Sequence, residues 1–291
     1  MTERHFHFIS GLPRSGSTLL GAILKQNPRF AAGMSSPVAS LFDGIVGQCS
    51  AGSELSRMVN TEQRTRILRG LFDSFYAENP AEVIFDTNRA WTAKLSELMA
   101  LFPDAKIICC VRNVAWVLDS LERQFRGNAF ENTGLFNNAA ERATVYTRTE
   151  ALAHSNRLVG FAYQALREAC WSDHADRVVI IDYDILAMRP ADVIKLLYEF
   201  IDEEPFDHDF DNVEYDAPAF DEQLGLAGLH KVRPKVLPQR RQTVLPPDLF
   251  TKYASLAFWQ NLQNCNAFRI VSQPADAEVP PTETDAATTN T

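Results

Sequence analysis

Gly11, Gly16, Ser17 and Thr18 stand at the spacing Gly-x4-Gly-Ser-Thr, within Gly11-Leu-Pro-Arg-Ser-Gly-Ser-Thr18. At that spacing a loop can wrap its backbone N–H groups around a phosphate. Phe6, Phe8 and Ile9 predict a short buried strand before the loop, and Ser17 onward predicts a helix reaching Asn27-Pro28. The loop amides and the positive end of the helix dipole would then converge on one anion. Ser17 occupies the place where a nucleoside triphosphatase carries the lysine that reaches the outer phosphates. A P-loop kinase is therefore the disfavoured alternative, and Arg14 is left to supply the charge. A glycine turn retained only for packing is the plain alternative to an anion site.

Positioning such a loop takes a sheet, and the chain supplies strands and helices in alternation. Thr61 to Ala77 has helical spacing, stopped by Asn79-Pro80, and Val83 to Phe85 reads as a second buried strand. Asp86-Thr-Asn-Arg-Ala-Trp91 follows it, a polar cluster where strand ends of an open α/β sheet deliver functional side chains. Trp91 to Phe102 reads as helix, Ala105 to Val111 as a strand covered on both faces, and Val114 to Phe125 as helix. Gly127 to Asn138, rich in Asn and Gly, is expected to form a mobile loop or lid. A long helical region runs to about His174, then Val178 to Ile181 gives a fourth strand and Pro190 to Ile201 a helix with proline in its first turn. The polar stretch from Ala31 to Pro37 is expected to line the cleft. This succession predicts an α/β, P-loop-like three-layer fold with a central parallel sheet. It forms one domain over residues 1–271; residues 272–291, with Pro280-Pro281 and no aromatic residue, are expected to be disordered.

Composition sets the frame for the site. In 291 residues, 46% hydrophobic content is ample for a core, and no run is long enough for a membrane span. Five cysteines without a CxxC pair suggest reduced thiols, so a soluble, cytoplasmic protein is expected. The formal charge of −9 seems to oppose an anionic ligand until its distribution is followed. Asp202 to Glu222 and the stretch after Ser272 hold fourteen acids and no Lys or Arg, which leaves +5 for the rest of the chain. That body is mildly basic but carries no stripe that would suggest nucleic acid. The acidic run itself reads either as a solvated, flexible face or as a surface for a basic peptide. His5, His7, His154, His174 and His208 have no partners at metal spacing, so no metal is expected.

The first loop resembles the 5′-phosphosulfate loop of sulfotransferases that use 3′-phosphoadenosine 5′-phosphosulfate (PAPS), and Val111-Arg-Asn113 with Ser120 is similar to their 3′-phosphate motif. The resemblance implies that Gly11, Pro13, Arg14, Ser15, Gly16, Ser17 and Thr18 hold the 5′ end of PAPS, and that Arg112 and Ser120 hold its 3′-phosphate. Asp182-Tyr-Asp-x-Leu186 resembles the Tyr-Glu-x-Leu element of the tyrosylprotein branch, which implies Tyr183 beside the cofactor. The likeness to that branch is loose and runs from Phe8 to about Tyr253, taking in Leu101-Phe-Pro103 and Leu229-His-Lys-Val232, whose Lys231 would also touch PAPS. It implies sulfuryl transfer to a hydroxyl of a small molecule or a peptide tyrosine, with no metal. A non-catalytic nucleotide-binding protein is the other alternative.

The base is where the resemblance stops. The tyrosylprotein branch places a Gly-Glu-Glu after the first helix, whose second Glu falls on Ser35; cytosolic sulfotransferases place a His after the second strand, where Asp86-Thr87-Asn88 stands. Asp86, at a strand end, and His230, on a late loop, are the candidate bases; Arg14 would stabilise the leaving charge, and Arg89 would bind substrate or sulfate or else pair with Asp86. Asp86 reads equally as a helix cap or as the partner of Arg89, and His230 as a solvated loop residue.

Overall fold

The computed structural model describes residues 4–271 except 51, 53, 128, 129, 131, 224–229 and 240. The expected disordered tail, 272–291, lies outside the described residues, as does part of the expected lid. The chain runs β1 (His5–Gly11), α1 (Ser17–Leu24), β2 (Phe30–Ala31), α2 (Val38–Cys49), α3 (Thr61–Phe75), β3 (Val83–Thr87), α4 (Leu95–Leu101), β4 (Ile107–Val111) and α5 (Val114–Gly127). It continues through α6 (Ala139–Arg142), α7 (Val145–Ala153), α8 (Leu158–Cys170), β5 (Val178–Asp182), α9 (Tyr183–Met188), α10 (Pro190–Ile201), α11 (Pro218–Gln223), α12 (Pro247–Ala254) and β6 (Phe268–Ile270).

The six strands form one sheet in the order β2-β3-β1-β4-β5-β6, every pair parallel. The chain leaves β1 toward β2 and β3 on one side and later returns to place β4 on the other, so the switch point, where α/β sheets bind ligands, lies at the carboxyl end of β1. Alternate side chains sort cleanly between two cores, as the pleat requires. Phe6, Phe8, Ile107, Cys109, Val178 and Ile180 join one with Leu98, Leu118 and Leu166; Ile9, Ile108, Cys110, Val179 and Ile181 join the other with Leu20, Ile23 and Leu197. Phe8 and Trp91 are fully buried with ring centres 5.2 Å apart, each contributing on the order of 2–3 kcal/mol by leaving water. No helix among the described residues is long and apolar enough to cross a membrane.

Local signals explain the helix ends. Asn60 and Gln63 form a reciprocal capping box at α3, and Pro190 opens α10. The expected helix from Trp91 begins instead as a 3-10 turn over Arg89–Lys94, because Asn88 accepts the Ala90 amide and caps it early. The long helical region before His174 is divided by caps at Asn138 and Thr144 and by the break between Ala153 and Leu158. The edge strands β2 and β6 are two and three residues long, too short for the alternation that reveals a strand.

Most acids of the acidic stretch are exposed, as its composition suggests, but the backbone that carries them is held in place. Val236 N donates to Phe210 O at 2.9 Å, Val213 N to Pro234 O at 2.7 Å and Val232 N to Tyr215 O at 3.0 Å, so residues 210–215 run antiparallel to 232–236. Val213 is buried, and the Tyr215 hydroxyl accepts the Met34 amide at 2.8 Å, which fastens this ribbon to the segment after β2.

Candidate active site

The glycines of the first loop are there for close approach. Gly11 has φ +104°, and a Cβ on it would lie 2.1 Å from the Cys110 carbonyl oxygen; Gly16 has φ +90° and leaves no room for a Cβ beside the Tyr183 ring. Between them Arg14 adopts φ +58°, a left-handed conformation that costs a non-glycine residue about 1 kcal/mol. The buried Ser15 hydroxyl donates to the carbonyls of Leu12 and Cys110, the latter at 2.8 Å. Its side chain therefore ties the loop to β4 and does not face a ligand; any contact from Ser15 is through its backbone. Gly16 offers α1 no side-chain cap, and Ser17 and Thr18 open that helix on the wall of a cavity of about 580 Å³. Uncapped amides at a helix N-terminus are donors for an anion.

Residues far apart in sequence meet around this cavity. Pro13, Arg14, Arg112, Ser120 and Tyr183 all line it, and Arg14 Nε donates to Ser120 Oγ at 3.2 Å. Arg112 follows β4, its guanidinium 4.3 Å from the Tyr183 ring centre and its Nε 4.0 Å from Asp184. That Nε is buried without a hydrogen-bond partner among the described residues, a donor that suits an incoming group. The pKa of Arg14 is lowered, first by loss of surrounding water and then by the positive charges of Arg241 and Arg112. Asp221 opposes that lowering, yet the described wall itself presents these guanidiniums with no Asp or Glu among them, a surface that favours an anion.

The roof comes from the basic strip after the ribbon. Lys231, Arg233, Lys235 and Arg241 line the cavity; Lys235 is held by Asp211 at 2.7 Å and Arg241 by Asp119 at 2.8 Å. Arg233, Lys235 and Arg241 escape a motif-led reading. Their only sequence signal is the alternation of Lys231, Arg233 and Lys235, which a ribbon turns to one side. His230 lines the cavity too, with Nδ1 2.6 Å from Asp221 Oδ1, while its amide donates to Asp221 Oδ2 at 2.9 Å. Asp221 is fully buried, so this member of the acidic run serves as an internal partner that fixes the imidazole.

Asp86, the other candidate base, must be corrected. Its carboxylate is fully buried and accepts from Ser36 Oγ at 2.7 Å, Tyr76 OH at 2.6 Å and Trp91 Nε1 at 2.7 Å. Burial raises its pKa, and the three donors oppose that rise. Among the described residues it caps no helix and pairs with no arginine, and it lies behind the cavity wall, so it anchors β3 to the elements around it. Arg89 lines the cavity without that partner.

The model of the sulfotransferase family matches residues 7–208. No curated protein matches the chain. Among solved structures, the sulfotransferase domain of the Synechococcus PCC 7002 olefin synthase shares 16% identity, covering 90% of this chain and 98% of its own, with a TM-score of 0.50. The sulfotransferase domain of the curacin biosynthetic pathway shares 17% identity over 89% of this chain and 92% of its own, with a TM-score of 0.49. The first of these likenesses supports the fold alone; the family assignment rests on the model, which spans β1 through α10 and so takes in the loop, Arg112 and Ser120. The chain belongs to the sulfotransferase family.

Proposed function

We propose that this sulfotransferase moves the sulfuryl group of PAPS to an acceptor hydroxyl of a small molecule or peptide, in the cytoplasm and without a metal. The observation that carries the reading is the meeting of Arg14, Arg112 and Ser120 at the mouth of an uncapped helix. The first-turn amides of α1 and Arg14 suit the 5′-phosphate, with Gly11 and Gly16 keeping the loop tight. Arg112, through its unpaired Nε, and Ser120 suit the 3′-phosphate, while the Tyr183 ring holds the Arg112 guanidinium in plane. Lys231 adds charge from above.

His230 is the base in this reading, and Asp221 orients it. With Nδ1 directed at Asp221, Nε2 is the atom that takes the acceptor's proton. As the acceptor oxygen bonds to sulfur, the bond from sulfur to the bridging oxygen breaks, and Arg14 and the loop amides stabilise the charge that gathers on the departing nucleotide.

The deciding experiment is calorimetric titration, without magnesium, with 3′-phosphoadenosine 5′-phosphate (PAP), ATP and adenosine 5′-phosphosulfate. PAP is expected to bind far more tightly than ATP. Arg112→Ala is expected to weaken PAP by about 10- to 100-fold, the range of one charge-assisted hydrogen bond, and to leave adenosine 5′-phosphosulfate, which lacks the 3′-phosphate, nearly unchanged. A preference for ATP, or equal weakening of both ligands, would overturn the assignment.

A further inference from the structure

The cations of the cavity fall into two groups when their partners are traced. Arg112 lies beside Asp184, Lys235 beside Asp211 and Arg241 beside Asp119, and Arg14 bonds Ser120. Lys231 and Arg233, on the strip above, have no ion pair among the described residues, and neither has Arg89. Its guanidinium has no hydrogen-bond or ion-pair partner among the described residues, although arginines elsewhere, such as Arg29 with Glu82 and Arg148 with Glu122, are paired. Its backbone, in contrast, is held at both ends. Asn88 N donates to Ile9 O at 2.9 Å, Ser10 Oγ donates to Arg89 O at 3.0 Å, and Asn88 Oδ1 caps the turn that Arg89 begins. Arg89 is exposed on the cavity wall, and a fixed backbone under a charged head that no side chain engages suits a ligand-binding arginine.

Its location says which ligand. Arg112 and Ser120 follow β4 on one side of β1, whereas Arg89 follows β3 on the other. The side of β4 is occupied by the nucleotide in the proposed function, on which the present inference rests, so the side of β3 falls to the acceptor. There the 3-10 turn of Arg89 packs on α8, whose first residue, Leu158, lines the same cavity, as does Leu135. On this side the described wall sets Leu135 and Leu158 beside Arg89, with no carboxylate to receive a cation, whereas Lys231 and Arg233, also without an ion pair among the described residues, belong to the strip that forms the roof.

We infer that the acceptor is a hydroxy acid, a compound with an apolar body whose carboxylate or equivalent anionic group is bound by Arg89 while its hydroxyl faces His230. Arg89 then sets specificity and takes no part in proton transfer.

The test compares matched acceptors, 4-hydroxyphenylacetate and 3-hydroxyoctanoate each against its own amide, with PAPS in the wild type, Arg89→Met and Arg89→Lys. The acids are expected to exceed their amides in kcat/KM by about tenfold or more, the value of a charge-assisted hydrogen bond. Arg89→Met is expected to bring that ratio near one by raising KM for the acids, with turnover of the amides and PAP affinity unchanged; Arg89→Lys restores part of the preference. Amides used as well as acids, no transfer to either acid by a protein that still binds PAP, or an equal fall in kcat for acids and amides in Arg89→Met would each overturn the inference. The last outcome would place Arg89 on the sulfuryl group. Loss of PAP binding in the wild type would instead overturn the underlying assignment, so the two failures are distinguishable.

Discussion

The end of β3 and the acidic stretch after α10 each hold one fully buried carboxylate, and the two have opposite uses. Asp86 is surrounded by a serine, a tyrosine and a tryptophan, donors that do not titrate near neutral pH and that do not line the cavity. Asp221 faces a histidine that opens on the cavity. Both are equally dry and both are hydrogen-bonded. What distinguishes them is the partner: a carboxylate closed off by hydroxyl and indole donors is a fastening, and one behind an imidazole orients a base.

Substitutions at the two carboxylates should therefore separate activity from stability. The largest effect is expected at the imidazole. His230→Gln should lower sulfuryl transfer by about 10²- to 10⁴-fold, the range for a positioned general base, with PAP affinity by calorimetry retained. Asp221→Asn should lower transfer in the same direction, because it removes the charge and turns one of the two oxygens that hold His230 into a donor. If His230→Gln transfers at the wild-type rate, the contrast between the two carboxylates fails. Next in size, Asp86→Ala leaves the donors of Ser36, Tyr76 and Trp91 without their acceptor and should cost about 3 kcal/mol or more in urea unfolding. Activity per folded molecule should be unchanged, and its loss without loss of stability would return Asp86 to the catalytic group. The smallest effect is expected at the ribbon that carries Asp221. Tyr215→Phe removes the acceptor of the Met34 amide and should cost about 1 kcal/mol by the same measurement.

The same contrast shows what was legible in the sequence. Wherever a short-range pattern carries the information, the reading reaches the structure: continuous apolar runs mark β4 and β5, and the glycine spacing marks a loop at the end of β1. Asp86 misleads because strand-end position is visible in sequence but the direction of a side chain is not. Its immediate neighbour in sequence, Thr87, lines the cavity, while Asp86 points behind it, as alternation along a strand requires. The role of Asp221 is hidden for a different reason. Ten acids without a base look like a solvated face, and only the pairing of 210–215 with 232–236 shows that one of them is turned inward under a histidine nine residues later. Arg89 lies between these cases: its place after β3 was evident, but only the tracing of partners shows that Asp86 does not neutralise it.

The ribbon also has a consequence for the order in which the protein is made. The loop, Arg112 and Ser120 are all synthesised before residue 121, whereas the strip that covers them and the histidine beside it come from residues 230–241. At a synthesis rate of roughly 5–20 residues per second, about 110 residues separate floor from roof, or some 5–20 s on the ribosome. Through that interval the nascent chain carries the floor of the cavity without the histidine or the strip that covers it. On the proposed assignment, a chain interrupted before residue 230 would lack both the roof and the histidine that transfer requires.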